Sequence, residues 1–296
     1  MANGVNAPDA GSVVRGANVV DVTDPADPRL DDFRDLNSVD RRPDLPTGKG
    51  LVIAEGVLVV QRMLASRFAP RAFLGTDRRL TELGAGLNGL DAPFYRVTAE
   101  VMAEVVGFHL NRGVLASASR AAELAMPEVL DGAMTVAVLE GVNDHENLGS
   151  LFRNAAGLGV DAVVFGSGCA DPLYRRAVRV SMGHALLVPF ANAGAWPDGL
   201  KLLQEAGFRV LAMTPDPAAP LLARAMAGLA GERVAILVGA EGPGLQERTM
   251  RLSDERVRIP MSGGTDSLNV ATAAALAFYE RDRQRDRVPP VGSRTT

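Results

Sequence analysis

Residues 134–166 read MTVAVLEGVNDHENLGSLFRNAAGLGVDAVVFG. The run MTVAVLEGV is apolar almost without interruption, as expected of a strand covered on both faces rather than one. NLGSLFRNAAGLG follows as a helix with a glycine stop. DAVVFG then reads as a second strand. A strand, a helix and a strand in this order predict a parallel pair joined by a crossover helix. The alternation continues downstream, with DPLYRRAVRVSMGHA (171–185) a helix with Pro172 near its start and LLVPFAN (186–192) a strand. PDGLKLLQEAG (197–207) is a helix and FRVLAMT (208–214) a strand. VAILVG (234–239) and VRIPM (257–261) are two short strands, and SLNVATAAALAFYERDR (267–283) is the last long helix.

Upstream, residues 121–131 read as a connector, with Pro127 and Gly132 bracketing a change of register, and a smaller alternating series precedes it. LVIAEGVLVV (51–60) is a strand running into a helix, whose inner face takes Val57, Val60, Met63 or Leu64, and Phe68. RAFLGT, PFYRVT and GVLASAS are strands, while RLTELGAGL and AEVMAEVVGF are helices. Residues 1–46 are rich in Asp, Pro and Gly without sustained periodicity, and predict a partly disordered arm with one short helix near Pro28. The expected organisation is an N-terminal arm (1–46), a small α/β domain (47–126), a larger parallel-sheet α/β domain (127–283) and a disordered tail (284–296).

Composition narrows the function classes. A chain of 296 residues with 47% hydrophobic residues and a mean hydropathy of +0.08 can build two cores. No apolar run approaches the ~18 residues that suggest a membrane span, and the start lacks a signal-peptide pattern. The expected location is therefore the cytoplasm. The single cysteine, Cys169, excludes an internal disulfide and a cysteine-based zinc site, and reads as a small, nearly buried residue. His109, His145 and His184 have no metal-ligand spacing, so no metal is expected. The net charge of −4 does not advertise a nucleic-acid partner. Residues 1–46 hold five Arg against nine Asp, whereas residues 47–126 hold nine basic against seven acidic side chains, so the small domain is the more basic part.

Three polar, glycine-rich segments follow strands of the larger domain, where open α/β sheets bind ligands. They are GVNDHENLGSLFR (141–153), GAEGPGL (239–245) and PMSGGTDSLN (260–269). None is a GxGxxG fingerprint, a Walker loop or a GxSxG elbow. Glycine lets backbone amides approach a flat ligand closely, so Gly239 and the pair 263–264 fit a nucleoside-like ligand held without charged side chains. Arg153 and Asn147 sit in one helix and can face a polyanion together. Spacing alone leaves Arg153 equally readable as a surface residue paired to a carboxylate.

NLGSLFRNAAGLG, LVGAEGPGL and IPMSGGTDSLNVATAAALAFYE closely resemble, in order and spacing, the three motifs of the SpoU/TrmH RNA methyltransferases. The likeness covers residues 133–283. IAEGVLVVQRML and NRGVLASAS resemble the ribosomal-protein-like α/β domain that precedes many of them. The resemblance implies a SPOUT fold with a deep trefoil knot, S-adenosylmethionine as cofactor, and methyl transfer to a ribose 2′-hydroxyl of structured RNA, with rRNA favoured over tRNA. It implies a homodimer with the active site near its interface. Residue by residue, it assigns Thr214, Gly239, Ile259, Met261 and Leu268 to the cofactor, and Asn147, Arg153, Glu241, Ser267 and Asn269 to catalysis. Arg62, Arg67 and Arg112 of the small domain are candidate phosphate contacts. Two rival readings are a non-catalytic RNA-binding protein and a methyltransferase acting on a base nitrogen.

Overall fold

The computed structural model describes residues 16–37, 50–262 and 265–285. It divides into two compact units, one running to Ala121 and taking in Leu173–Arg175, the other beginning at Ala122.

The first unit holds β1 (Val19–Asp21), β2 (Leu51–Glu55), α1 (Val57–Leu64), β3 (Pro70–Gly75), α2 (Asp77–Leu83), β4 (Phe94–Arg96), α3 (Ala99–Val106) and β5 (Val114–Ser119). Its sheet runs β1-β4-β3-β5-β2, with β5 antiparallel to both β2 and β3. Residues 16–37 depart from the expected arm. Val19–Asp21 pairs in parallel with β4, and a 3-10 turn at Pro28–Phe33 seats Leu30 and Phe33 in the core with no exposure. Two anchors separated by acidic turns leave no period to read, yet they bury enough apolar surface to hold the segment. The remainder of 1–46 lies outside the described residues, as does the tail from 286 onward. Residues 284–285 continue the last helix instead of opening the tail.

The second unit holds α4 (Met126–Leu130), β6 (Thr135–Glu140), α5 (His145–Gly157), β7 (Ala162–Phe165), α6 (Arg175–Val180), β8 (Phe190–Asn192), α7 (Leu200–Glu205), β9 (Phe208–Met213), α8 (Leu222–Met226), β10 (Arg233–Gly239), α9 (Glu247–Leu252), β11 (Glu255–Val257) and α10 (Val270–Arg285). Six strands form one parallel sheet in the order β11-β9-β10-β6-β7-β8. Alternate side chains serve two cores. Ala137, Leu139 and Ile236 meet α5, α8 and α10 on one face, while Val136, Val138 and Leu237 meet α4 and α7 on the other. That double cover explains the unbroken apolar strands. The chain moves outward from β6 to β8, crosses to β9, and returns to insert β10 beside β6. Strand order therefore reverses near β6 and β10, and a ligand crevice belongs at their carboxyl ends.

Several expected boundaries move. The helix expected over 171–185 is only α6, because Met182 and Gly183 take positive φ (55° and 89°) and a 3-10 turn at His184–Leu186 follows. That turn also shortens the strand expected at 186–192 to β8. β11 stops at Val257, because Arg258 leaves β9, its amide donating to the Pro220 carbonyl and its carbonyl accepting from the Leu222 amide. Residues 259–261 consequently run on as an open segment. α4, α8 and α9 have five or six residues each and escaped the periodicity reading.

The far end of α10 is fixed by Arg281, only 1% exposed. Its guanidinium donates to the carbonyls of Leu229, Met134 and Glu232 and to the Thr135 hydroxyl. Burial pulls its pKa down to about 10, so at neutral pH it remains a cation seated on carbonyl oxygens.

Candidate active site

The loop after β6 turns at Gly141 (φ 70°) and starts α5 with a strong cap. The Asp144 carboxylate accepts from the amides of Glu146 (3.0 Å) and Asn147 (2.8 Å), satisfying donors that a helix start leaves open. This fixes Asn147 in the first turn. Gly149 lies where α5 crosses α6. A Cβ there would stand 2.7 Å from Val180 Cβ and 2.8 Å from the Ala177 carbonyl, so only glycine allows the approach.

The loop after β10 is tighter still. A Cβ on Gly239 would lie 2.3 Å from the Gly244 carbonyl carbon and 2.4 Å from the Leu245 nitrogen. The Gly244 amide donates to the Ala240 carbonyl at 3.0 Å, and Gly242 and Gly244 adopt positive φ. Backbone thus folds against backbone.

Three distant segments meet through side-chain amides. Asn147 Nδ2 donates to Glu241 Oε2 at 2.9 Å, and Asn269 Nδ2 donates to Asn147 Oδ1 at 2.7 Å. Asn269 Oδ1 in turn accepts from the amides of Ala271 and Thr272 and caps α10. Each amide orientation is set by its neighbours, because Glu241 as a carboxylate only accepts.

Beside this chain of bonds lies a cleft at the carboxyl ends of β9, β10 and β11. Thr214, Gly239, Ile259, Met261 and Leu268 all line it, as do Glu241 and Ser267. Met213, Val238, Val270 and Ala273 add apolar wall that the sequence reading missed. Asn147 and Asn269 reach the site through their bonds to each other and to Glu241. Arg153 is exposed on α5 and is not among the lining residues. In the first unit, Arg62 is half-buried on α1, and Arg67 is exposed with its guanidinium 4.9 Å from the Phe68 ring centre. Arg112 is engaged by Glu55, donating to its carbonyl at 3.3 Å with the carboxylate 3.9 Å away. Cys169 donates to the Leu139 carbonyl at 3.3 Å, and burial pushes its thiol pKa up. No cluster of three or more metal-ligating side chains exists among the described residues.

Sequence comparison gives this geometry a context. The sequence model of the SpoU rRNA methylase family matches residues 134–279. An uncharacterized tRNA/rRNA methyltransferase of Mycobacterium tuberculosis is 71% identical over 275 residues, covering 93% of this chain and 96% of that protein. The chain belongs to the SpoU rRNA methylase family. A 23S rRNA (guanosine-2′-O-)-methyltransferase of Ralstonia nicotianae is 31% identical over 217 residues, 72% of this chain and 86% of that one. The solved structure of an S-adenosylmethionine-bound rRNA methyltransferase from Sinorhizobium meliloti shares the fold, with a TM-score of 0.72, 23% identity, and coverage of 90% of this chain and 98% of that one. The expected parallel-sheet α/β methyltransferase architecture is the one observed, and this SpoU-family chain is an RNA methyltransferase with S-adenosylmethionine as its cofactor. The cleft suits that cofactor in having mostly apolar walls, from Met213, Val238, Ile259, Met261, Leu268 and Val270, with Thr214, Glu241 and Ser267 as polar side chains among them.

Glu140 went unnoticed in the sequence. It ends an otherwise apolar strand and is 3% exposed, with its carboxylate accepting from Trp196, Thr249 and Gln246. A charged residue closing a fully buried strand is the signal that could have found it.

Proposed function

We propose that the chain methylates a ribose 2′-hydroxyl in structured RNA, with ribosomal RNA as the substrate class. The observation that carries this is the linkage of Asn147, Glu241 and Asn269, which joins all three motif segments beside the cleft. The ribose specificity and the ribosomal substrate rest on the similarity to the guanosine-2′-O-methyltransferase of Ralstonia nicotianae.

S-adenosylmethionine supplies the activated methyl group when bound, and Thr214, Gly239, Ile259, Met261 and Leu268 are the residues that would hold it. The protein must then orient the hydroxyl and manage its proton. Ser267 and Glu241 line the cleft, and in this reading they orient the ribose. Asn147 and Asn269 hold Glu241 in its acceptor orientation. Arg153 is a poor base, because a guanidinium stays protonated. Its role in this reading is to grip the adjacent phosphate and steady negative charge on the 2′-oxygen. Arg62 and Arg67 offer phosphate contacts in the first unit, while Arg112 must be shared with Glu55. We also assign to the second unit the deep trefoil knot that accompanies this fold, supported by the gathering of the segments after β9, β10 and β11 around one cleft. A cytoplasmic location fits an RNA substrate of this class.

Nucleoside mass spectrometry of rRNA and tRNA from cells with and without the gene tests the reading. The expected result is loss of one 2′-O-methylated nucleoside from rRNA, restored by purified protein in vitro with a chelator present. A lost base methylation instead would move the reaction to a nitrogen, and unchanged RNA would leave a binding protein.

A further inference from the structure

Glu140 occupies a position that the proposed chemistry does not use. Its strand position pairs in register with Gly239, the first residue of the cofactor loop. Its side chain reaches the other end of the same loop, where Oε1 accepts the Gln246 amide at 2.7 Å. Oε2 accepts the Thr249 hydroxyl at 2.5 Å and the Trp196 indole N–H at 2.6 Å. Thr249 has no exposure and lies in α9, which the loop enters directly. Both feet of the loop therefore stand on one residue, one through the ladder and one through a buried carboxylate. Between those feet, Gly239, Ala240, Glu241, Gly242 and Gly244 line the cleft.

We propose that Glu140 is a positioning residue for cofactor binding, whose carboxylate clasps the 240–245 loop in its binding conformation. This rests on the reading that the cleft holds S-adenosylmethionine. The loop carries two glycines at positive φ and has wide conformational freedom once one foot is released. The cofactor then binds only the fraction of molecules with the loop in place, and apparent affinity falls by that fraction. Glutamine cannot replace the carboxylate. Its NH₂ must face either the Gln246 amide or the Trp196 N–H, and each of these can only donate. Trp196 shares an oxygen with Thr249 but follows β8, away from the cofactor loop.

Calorimetry with S-adenosylhomocysteine tests the proposal, alongside KM for S-adenosylmethionine, kcat and melting temperature. Glu140→Gln is expected to raise Kd and KM roughly 10- to 100-fold, with a much smaller fall in kcat at saturating cofactor. Thr249→Val and Trp196→Phe keep the test decisive if Glu140→Gln does not fold. A clasp predicts that Thr249→Val weakens binding several-fold while Trp196→Phe lowers melting temperature and leaves Kd near wild type. Wild-type Kd in folded Glu140→Gln, or equal Kd in Thr249→Val and Trp196→Phe, would overturn it. Failure of the wild-type protein itself to bind S-adenosylhomocysteine would instead remove the cofactor reading of the cleft.

Discussion

Arg153 and Gly239 show how differently single residues can matter at one site. Arg153 is not among the residues that line the cleft, so Arg153→Ala should leave cofactor affinity nearly intact. Its loss should cut methyl transfer by about 10²–10³, the scale of a removed oxyanion donor. Arg153→Lys separates its roles, because lysine keeps the charge and loses the planar fork. Partial rescue indicates charge stabilisation, and no rescue indicates a bidentate phosphate grip. Near-normal turnover by Arg153→Ala on an RNA that the wild type methylates would remove Arg153 from the mechanism. Gly239→Ala has the opposite profile. The added methyl would meet backbone atoms at 2.3–2.6 Å, and neither strand nor loop has a flexible side chain to move aside. Calorimetry should find cofactor binding abolished, and retention of wild-type affinity would show that the loop opens easily. Gly239 was legible as part of a glycine-rich segment after a strand, and Arg153 and Asn147 as one helix end able to face a polyanion, but their specific roles came only through resemblance. Spacing could not reveal that Asn147 bridges side chains 94 and 122 positions away, because nothing local encodes such a meeting.

Among the elements, α5 offers a test with two signs. Alanine is favoured over glycine in a helix by about 1 kcal/mol, yet overpacking costs about 1–3 kcal/mol. At Gly149 the contact with α6 makes the second effect win. At Gly157, in the last turn, a Cβ meets nothing within 4 Å, and only the first applies. Thermal unfolding should therefore place Gly149→Ala below wild type and Gly157→Ala at or above it. A melting temperature for Gly149→Ala above wild type would mean that α6 yields. The elements legible in the sequence were the apolar strands and the long helices of the second unit, where period and length accumulate. β1, α8 and α9 were not, since three to six residues carry less than two turns or alternations. Their places are decided by distant partners, as when β1 completes the sheet beside β4.

For the whole molecule we expect a homodimer. Leu276 and Tyr279 of α10 are 43% and 56% exposed, three residues apart on one helix face. Light scattering at micromolar concentration should give twice the 31.1 kDa chain mass, and Leu276→Glu should shift the population toward monomer. A monomeric wild type would contradict this.

The sheet order also sets a clock. β6 has β7 on one side, available within a few dozen residues, but β10 on the other. Thr135 must wait for Val234 before that edge is closed. At elongation rates of about 5–20 residues per second, the interval is roughly 5–20 s. For that time the ribosome carries a bare, strongly apolar strand edge, which is a template for pairing with neighbouring chains. Slower synthesis lengthens the exposure, and colder growth weakens the apolar attraction that drives wrong partners together. Yield of soluble protein should thus depend on chaperone supply during translation more than on the stability of the finished fold.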